Sequence, residues 1–287
     1  MNMKAYSEPH INRAEISQLI LLYHLYSQTG SHDFIFQGGT ALRWCYGGSR
    51  FSEDLDFVTP LDEKALQRVL GKALKASERE LIPHFGPGTL TTVDKSTRRH
   101  TTKLFIHYLT SSSRDKVTVK LEFEGMKKDV RPETRKLILS SLPAVSYQLT
   151  RGALRIPRPN AVLIVETPEE ILSDKIRALL ERRYLKGRDM YDIWYLKSVL
   201  GVSVCKEQVE KKFGMYLWPF KALRNFSFFI NPTRENIAEM HTAITRDLSR
   251  FLPPDVMRAH TEEGFRPFMH ALQLQFAELR EMGVSLP

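Results

Sequence analysis

The spacing of apolar and polar positions separates strand-like from helix-like segments along the chain. Short apolar or alternating runs, which are typical of strands, cover residues 34–36, 54–58, 103–109 and 116–123. Apolar residues at helical spacing cover residues 15–28, 62–80, 168–183 and 189–200. The pattern predicts an α/β (α+β) fold, with an N-terminal half built on a mixed or antiparallel sheet and a helical C-terminal half.

Segments of irregular composition separate these elements. Residues 83–92 are rich in Pro, Gly and Thr and predict a loop, and SSSRD at residues 111–115 predicts a turn between two strands. Residues 140–168 are rich in proline and irregular, so the domain boundary is placed there. The expected domains are residues 1–160 and residues 161–287.

The composition is that of a globular protein. Of the 287 residues, 42% are apolar and 26% are charged, and no apolar run approaches the about 20 residues of a membrane span. The first residues lack the pattern of a secretory signal. Cys45 and Cys205 are far apart without CxxC spacing, which excludes a disulfide framework and a Cys-rich zinc site. We therefore expect a cytoplasmic protein without a membrane segment.

The positive charge is concentrated in one stretch. The formal net charge is +9, and residues 92–158 contain 15 Lys or Arg but only 6 Asp or Glu, so the rest of the chain is balanced. Such a local excess favours a surface that binds a polyanion. The residues predicted to contact RNA are Arg98, Arg99, Lys127, Lys128, Arg131 and Arg135. A solvated loop face is the simpler explanation for any one of them.

The segment FIFQGGTALRWCYGGSRFSEDLDF, residues 34–57, has the strongest chemical pattern. A strand leads into Gly38 and Gly39, whose backbone can approach a phosphate, and Thr40 is expected to cap a helix over residues 40–46. Asp54 and Asp56 are two apart on a strand and therefore project from one face, while Leu55 and Phe57 enter the core. Two convergent carboxylates beside a phosphate-binding turn are suited to Mg²⁺.

This segment resembles the signature of the DNA polymerase beta-like nucleotidyltransferases, in which Asp-x-Asp follows Gly-Gly or Gly-Ser by about a dozen residues. The string GGTALRWCYGGSRFSEDLDF resembles the AbiEii/AbiGii toxin branch, which includes the MenT toxins. EILSDKIRAL at residues 170–179 and RDMYDIW at residues 188–194 support the same branch in the same order. The resemblance spans residues 34–194, and the residues after it match no motif.

The resemblance implies an N-terminal nucleotidyltransferase domain and a helical domain that completes the active-site cleft. The implied catalytic residues are Asp54, Asp56, Lys175 and Asp189, with Gly38, Gly39, Thr40 and Lys175 binding the nucleotide. From the residues alone, Asp189 is equally well explained as a helix cap that pairs with Lys175.

A third carboxylate is expected on the strand over residues 116–123. Lys120, Glu122 and Glu124 share one face of this strand, and the family pattern Lys-x-x-x-Asp/Glu matches Lys120 to Glu124. Glu122 fits the role of third Mg²⁺ ligand, after Asp54 and Asp56, and is slightly preferred. An exposed face held by salt bridges is the alternative.

The implied function is that of a bacterial toxin from a toxin–antitoxin or abortive-infection phage-defence system. It would transfer a nucleoside monophosphate from an NTP to an acceptor hydroxyl, and the expected NTP is GTP or a pyrimidine NTP. The expected acceptor is the tRNA 3′ end, so that translation is blocked, and the expected protein partner is an antitoxin encoded nearby.

Three other functions stay open: a GTP-binding phosphotransferase on the same fold, a non-catalytic nucleic-acid-binding module, and a metal-dependent nuclease. The nuclease is disfavoured because Lys120 and Glu122 reverse the usual acid-x-Lys order. The chain has no HExxH, GxSxG or Walker motif, which argues against zinc enzymes, serine hydrolases and P-loop ATPases.

Overall fold

The computed structural model describes residues 6–111, 116–157 and 160–287. Within these ranges the strands are β1 Ile35–Gln37, β2 Asp54–Thr59, β3 Gly88–Asp94, β4 Thr101–Thr110, β5 Lys116–Gly125, β6 Thr134–Ile138 and β7 Val162–Glu166. The helices of the same ranges are α1 Glu8–Tyr26, α2 Gly38–Cys45, α3 Glu63–Phe85, α4 Pro143–Thr150, α5 Pro168–Glu181, α6 Gly187–Trp194, α7 Lys206–Met215, α8 Ser227–Ile230, α9 Arg234–Leu248, α10 Pro254–Glu262 and α11 Arg266–Glu281. The predicted α/β class and mixed sheet are confirmed.

The strands form one mixed sheet in the order β3-β4-β5-β2-β1-β7-β6. Strand β2 is central, antiparallel to β1 and parallel to β5, and β7 is parallel to β1. In this register Asp54 is opposite Lys120, and Asp56 is opposite both Gln37 and Glu122. The sheet therefore brings residues from two other segments, β1 and β5, next to the Asp-x-Asp strand.

Two compact units divide the chain. The sheet unit, Ser7–Glu166, holds the seven strands and α1–α4. The helical unit consists of Thr167–Pro287 together with Tyr6 and holds α5–α11. Among the described residues, no helix is long and apolar enough to span a membrane.

The core of the sheet unit lies between the sheet and α1. Leu19, Ile20 and Leu22 of α1 are fully buried, and the Tyr26 hydroxyl bonds the carbonyls of Phe34 and Ile164. This hydroxyl links the segments of β1 and β7, which are far apart in the sequence. The helix is longer than predicted, because it begins at Glu8 rather than at residue 15, with a proline in its first turn.

The prediction of a loop over residues 83–92 is wrong. Helix α3 continues through Pro83 to Phe85, and most of the remaining segment belongs to β3. A proline near a helix C-terminus removes one backbone hydrogen bond and is tolerated there. Strand β3 lies at the sheet edge with its side chains mostly exposed, so it lacks the alternation of a half-buried strand.

The segment predicted as irregular, residues 140–168, contains α4 and β7. Pro143 begins α4, where a proline costs no helix hydrogen bond. Strand β7 pairs with β1 and β6, so the sheet extends past the boundary expected at residue 160. Most of the predicted SSSRD turn lies outside the described residues.

Candidate active site

The two carboxylates of β2 project from one face of the sheet, as predicted. Leu55 and Phe57 are fully buried on the opposite face, while Asp54 is 9% exposed and Asp56 is half-buried. The alternation of a strand therefore places two acidic groups together at the edge of the core. Burial of Leu55 and Phe57 holds this register, because a slip by one residue would send both carboxylates into the core.

The Gly-Gly turn lies directly against these carboxylates. Gly38 begins α2 with φ +77°, and a Cβ there would lie 2.9 Å from Oδ2 of Asp56. A Cβ at Gly39 would overlap the guanidinium of Arg50 and lie 3.0 Å from Oγ of Ser52. Only glycine fits at these two positions, because side-chain atoms of neighbouring residues lie too close for a Cβ. The first turn of α2, where the helix dipole is positive, therefore lies beside Asp56.

Thr40 does not cap α2. The helix begins at Gly38, and the buried Thr40 hydroxyl donates a hydrogen bond to the Asp54 carbonyl. The cap prediction is therefore wrong by three residues, because the helix begins at Gly38 and its N-cap is Gln37. The Thr40 hydroxyl instead ties the first turn of α2 to the start of β2, while the backbone of this turn can still serve an anion.

Arg50 is a site residue that the sequence analysis missed. It is only 3% exposed, and its guanidinium packs under Gly39 and donates to the carbonyl of Phe51. The signal available in the sequence was an arginine between Gly47-Gly48 and the Asp-x-Asp strand, and only the structure shows that it is buried. Arg50 adds positive charge beneath the turn that was predicted to bind phosphate.

Lys120 lies between two carboxylates of the sheet. Its Nζ is 2.7 Å from Oδ2 of Asp54 and 3.0 Å from Oε2 of Glu122, and Lys103 approaches the same Glu122 oxygen at 3.5 Å. Burial acts to lower the pKa of Lys120, but the charges of Asp54, Asp56 and Glu122 outweigh it and raise that pKa above its usual value. Lys120 is therefore a fixed cation of this site.

Glu122 is held as an anion by the same lysines. Burial acts to raise the pKa of its carboxyl, but Lys120 and Lys103 outweigh burial and the pKa is lowered. Glu124 lies two residues further along β5, opposite Val58. Glu122 is therefore closer to Asp56 than Glu124 is, but its carboxylate forms ion pairs with both Lys120 and Lys103.

Asp54 and Asp56 form a pair of carboxylates of the kind that can hold Mg²⁺. In the described part of the chain, no group of three or more His, Cys, Asp or Glu side chains is placed to hold a metal ion. Mg²⁺ commonly uses one or two carboxylates and completes its shell with substrate phosphates and water. Asp54 and Asp56, next to a turn suited to phosphate, meet that requirement without Glu122.

In the helical unit, Lys175 of α5 forms a buried network with α6. Its Nζ is 2.9 Å from Oδ1 of Asp189 and 2.7 Å from Oδ2 of Asp192, and Arg182 forms an ion pair with Asp189. Asp189 is 1% exposed and Asp192 is 2% exposed. The predicted pairing of Lys175 with Asp189 is confirmed, but Asp189 does not cap α6, which begins at Gly187.

Asp192 and Arg182 were not predicted as partners of this network. Asp189 and Asp192 are three apart on one helix and share a face, which is the signal that was available. Burial acts to raise the pKa of Asp189, but Arg182, Lys175, Arg188 and Lys186 together hold it well below its usual range. Asp189 is therefore ionised throughout the physiological range.

This shift predicts an acid-dependent loss of stability. The folded pKa of Asp189 is depressed, so its contribution is fully present above its unfolded pKa of about 3.9 and is lost as the pH falls below it. We expect Asp189→Asn to destabilise the protein at about pH 6 and to cost progressively less towards about pH 3. Urea unfolding of the wild type and of Asp189→Asn across this pH range measures the difference in their free energies of unfolding. A difference that does not change with pH would contradict the depressed pKa.

The predicted RNA-contacting residues are all exposed, but they lie in different places. Arg98 and Arg99 precede β4, and Lys127 and Lys128 follow β5; the Gly125 amide bonds the His100 carbonyl and joins the two segments. Arg131 pairs with Asp33 at 3.0 Å, and Arg135 lies on edge strand β6. A basic cluster at the shared end of β4 and β5 consists of Arg98, Arg99, Lys127 and Lys128. Arg135, in contrast, is at the opposite edge of the sheet.

Known proteins resemble the chain in sequence and in fold. The family model described as "Nucleotidyl transferase AbiEii toxin, Type IV TA system" matches residues 20–273. A candidate nucleotidyltransferase from H. pylori shares the fold with a TM-score of 0.52 and 17% identity, over 96% of this chain and 98% of that one. JHP933 from Helicobacter pylori gives a TM-score of 0.53 and 17% identity, over 97% of each chain. No curated protein sequence is significantly similar.

Proposed function

Because the chain belongs to the AbiEii family of nucleotidyltransferase toxins, we propose that it transfers a nucleoside monophosphate from an NTP to a hydroxyl of RNA. The observation that carries this proposal is the Gly38 turn, which lies against Asp56 so closely that a Cβ would lie 2.9 Å from its Oδ2. A phosphate bound at that turn lies beside the two carboxylates of β2. The proposed phosphate site at the Gly38 turn and the proposed metal site at Asp54 and Asp56 would therefore be adjacent.

The proposed reaction is an in-line displacement at the α-phosphorus. The acceptor oxygen forms a bond to this phosphorus while its proton passes to solvent water. The bond from the α-phosphorus to the α–β bridging oxygen breaks, and pyrophosphate leaves with that oxygen. Asp54 and Asp56 would hold Mg²⁺, which supplies charge neutralisation at the phosphates. The first turn of α2 orients the phosphates, with the Arg50 cation beneath it.

Lys120 supports the ionised form of Asp54. Its ammonium is 2.7 Å from Oδ2, and this positive charge favours the charged carboxylate that Mg²⁺ binding would require. For the helical unit the proposal keeps the predicted role of Lys175 as a phosphate-binding ammonium, oriented by Asp189. The buried pairs with Asp189 and Asp192 fix the direction of its side chain.

The proposed acceptor is the 3′ end of tRNA. Support comes from the exposed basic cluster of Arg98, Arg99, Lys127 and Lys128 in the sheet unit, which suits a phosphate backbone. Modification of that hydroxyl would prevent aminoacylation and stop translation. The family description also implies an antitoxin as protein partner.

The test is incubation with total tRNA, Mg²⁺ and each NTP labelled at its α-phosphate. We expect label on tRNA with one or two of the four nucleotides, and no label when the tRNA 3′ diol has first been oxidised with periodate. Label on oxidised tRNA would contradict the 3′ end as acceptor. Label on the protein alone, from a γ-labelled nucleotide, would favour the phosphotransferase instead.

The glycine turn gives a prediction of its own. Gly38→Ala places a side chain at φ +77° and 2.9 Å from Asp56, so either the turn or the carboxylate must move. We expect the KM for the NTP to rise about 5- to 150-fold, since strain of this kind costs about 1–3 kcal/mol. Steady-state kinetics with varied NTP measures it.

Gly71→Ala is the matched control for this variant. Gly71 lies in α3, and nothing lies within 4 Å of its added Cβ. This substitution should leave the KM unchanged and raise stability by about 0.5–1 kcal/mol. An unchanged KM for the NTP in Gly38→Ala would show that the Gly38 turn does not bind the nucleotide.

A further inference from the structure

One face of the sheet is open next to the carboxylates. On β4 and β5, side chains alternate between a buried face and a face that is half-buried or exposed. The open face continues from Asp54 and Asp56 across β5 and β4 to edge strand β3. Besides charged groups, it carries an aromatic and apolar strip formed by Val93, Phe105, His107 and Leu109.

Two rings form the centre of this strip. Phe105 and His107 are two apart on β4, with ring centroids 6.3 Å apart and an interplanar angle of 28°. Nδ1 of His107 is 3.0 Å from Oγ1 of Thr118, which fixes the imidazole on the sheet. Burial, followed by the charge of Lys116, lowers the pKa of His107, so its ring is neutral at physiological pH. Both rings are thus uncharged and half-buried on the open face of the sheet.

The rings lie at a defined distance from the site. Phe105 is opposite Lys120 on β5, and Lys120 is opposite Asp54 on β2. Because neighbouring strands are about 4.8 Å apart, the backbone of Phe105 lies about 10 Å from that of Asp54. Stacked nucleotides rise about 3.4 Å each, so about three of them span this separation.

Positive charges border the strip at both ends. Lys116 is exposed at one end of the open face, and Lys103 lies at the other, next to the basic cluster that precedes β4 and follows β5. A base-stacking aromatic flanked by cations is the usual arrangement for single-stranded nucleic acid. The core of a protein interface, in contrast, is depleted of lysine, which disfavours the antitoxin as occupant.

We propose that this open face binds the unpaired bases of the acceptor RNA next to its reacting hydroxyl, with Phe105 as the principal stacking residue and His107 beside it. The proposal rests on the proposed function, which supplies the RNA acceptor. It adds a reason for choosing an unpaired end, since a base inside a duplex cannot stack on Phe105. The occupant is therefore single-stranded RNA.

The test measures RNA binding and nucleotide transfer separately. The probe is a fluorescein-labelled, unstructured RNA of about ten nucleotides, compared with a blunt hairpin of the same length. Phe105→Ala should weaken binding of the unstructured RNA at least about fivefold, with little change for the hairpin. Phe105→Trp should retain wild-type affinity, and Tyr147→Ala, at an aromatic that is 63% exposed elsewhere in the sheet unit, should change nothing.

Transfer kinetics show whether the bound RNA is the acceptor. Phe105→Ala should raise the KM for RNA by the same factor and leave the KM for the NTP unchanged. A raised KM for the NTP alone would place the nucleotide base on Phe105 and overturn the proposal, as would an affinity loss in Phe105→Trp equal to that in Phe105→Ala. Thermal midpoints of both variants exclude misfolding as the cause.

The two proposals fail in different ways. If the wild-type protein transfers nothing but RNA affinity still depends on Phe105, then the RNA site stands and the transfer reaction is wrong. If transfer to RNA occurs and Phe105→Ala binds RNA as tightly as the wild type, then the stacking site is wrong and the reaction stands.

Discussion

Replacing Asp56 with asparagine is expected to lower the rate of nucleotide transfer by about 10³-fold or more. Asp56 lies on the central strand, beside the Gly38 turn and on the face that it shares with Asp54. Asparagine keeps the shape of the side chain but removes the charge proposed to bind Mg²⁺, and metal stabilisation of a transition state is worth several kcal/mol. Single-turnover transfer with saturating NTP and Mg²⁺ measures this effect directly.

The loss must arise from the chemistry and not from unfolding. Asp56 is half-buried, so Asp56→Asn should keep a thermal midpoint close to that of the wild type. Glu63→Gln, at an exposed acid in the first turn of α3, is the control and should retain full activity. Mg²⁺-dependent transfer that persists in Asp56→Asn would show that the carboxylates of β2 do not hold the metal.

Replacing Lys175 with methionine is expected to cost about 3–5 kcal/mol of unfolding free energy and to abolish transfer. The ammonium is 2.9 Å from Asp189 and 2.7 Å from Asp192, and all three side chains are buried. Its removal takes the ammonium away from both buried carboxylates, while Asp189 keeps its ion pair with Arg182. Urea unfolding without nucleotide measures the stability.

Lys206→Met is the matched control in the same unit. Lys206 forms a partly exposed ion pair with Glu210 at 3.7 Å, and such pairs contribute about 0.2–1 kcal/mol. The double variant Lys175→Met/Asp192→Asn also removes the buried carboxylate charge that faced Lys175, and should regain part of the stability without regaining transfer. Recovery of transfer in the double variant would make Lys175 a purely structural residue.

Local sequence pattern was sufficient to predict which carboxylates lie together at the centre of the candidate site. Asp54 and Asp56 alternate with Leu55 and Phe57, and that alternation is imposed by the geometry of a single strand. The position of the Gly38 turn was likewise local, since a strand ends and a helix begins there. These features needed no knowledge of what packs against them.

Features that depend on distant segments could not be predicted in the same way. The position of Lys120 between Asp54 and Glu122 follows from the register of two parallel strands that are more than fifty residues apart in the chain. The network of Lys175 required the packing of two helices to bring Asp192 into reach. Edge strands β3 and β6 are largely exposed on both faces, and therefore gave no alternation to detect.

The most direct test of the account compares one NTP labelled at its α-phosphate with the same NTP labelled at its γ-phosphate, in the presence of tRNA and Mg²⁺. Transfer of a nucleoside monophosphate predicts that the α label appears on RNA, that the γ label appears only in pyrophosphate, and that the two are formed in equal amounts. Appearance of the γ label on RNA or on protein would show phosphoryl transfer and would contradict the account.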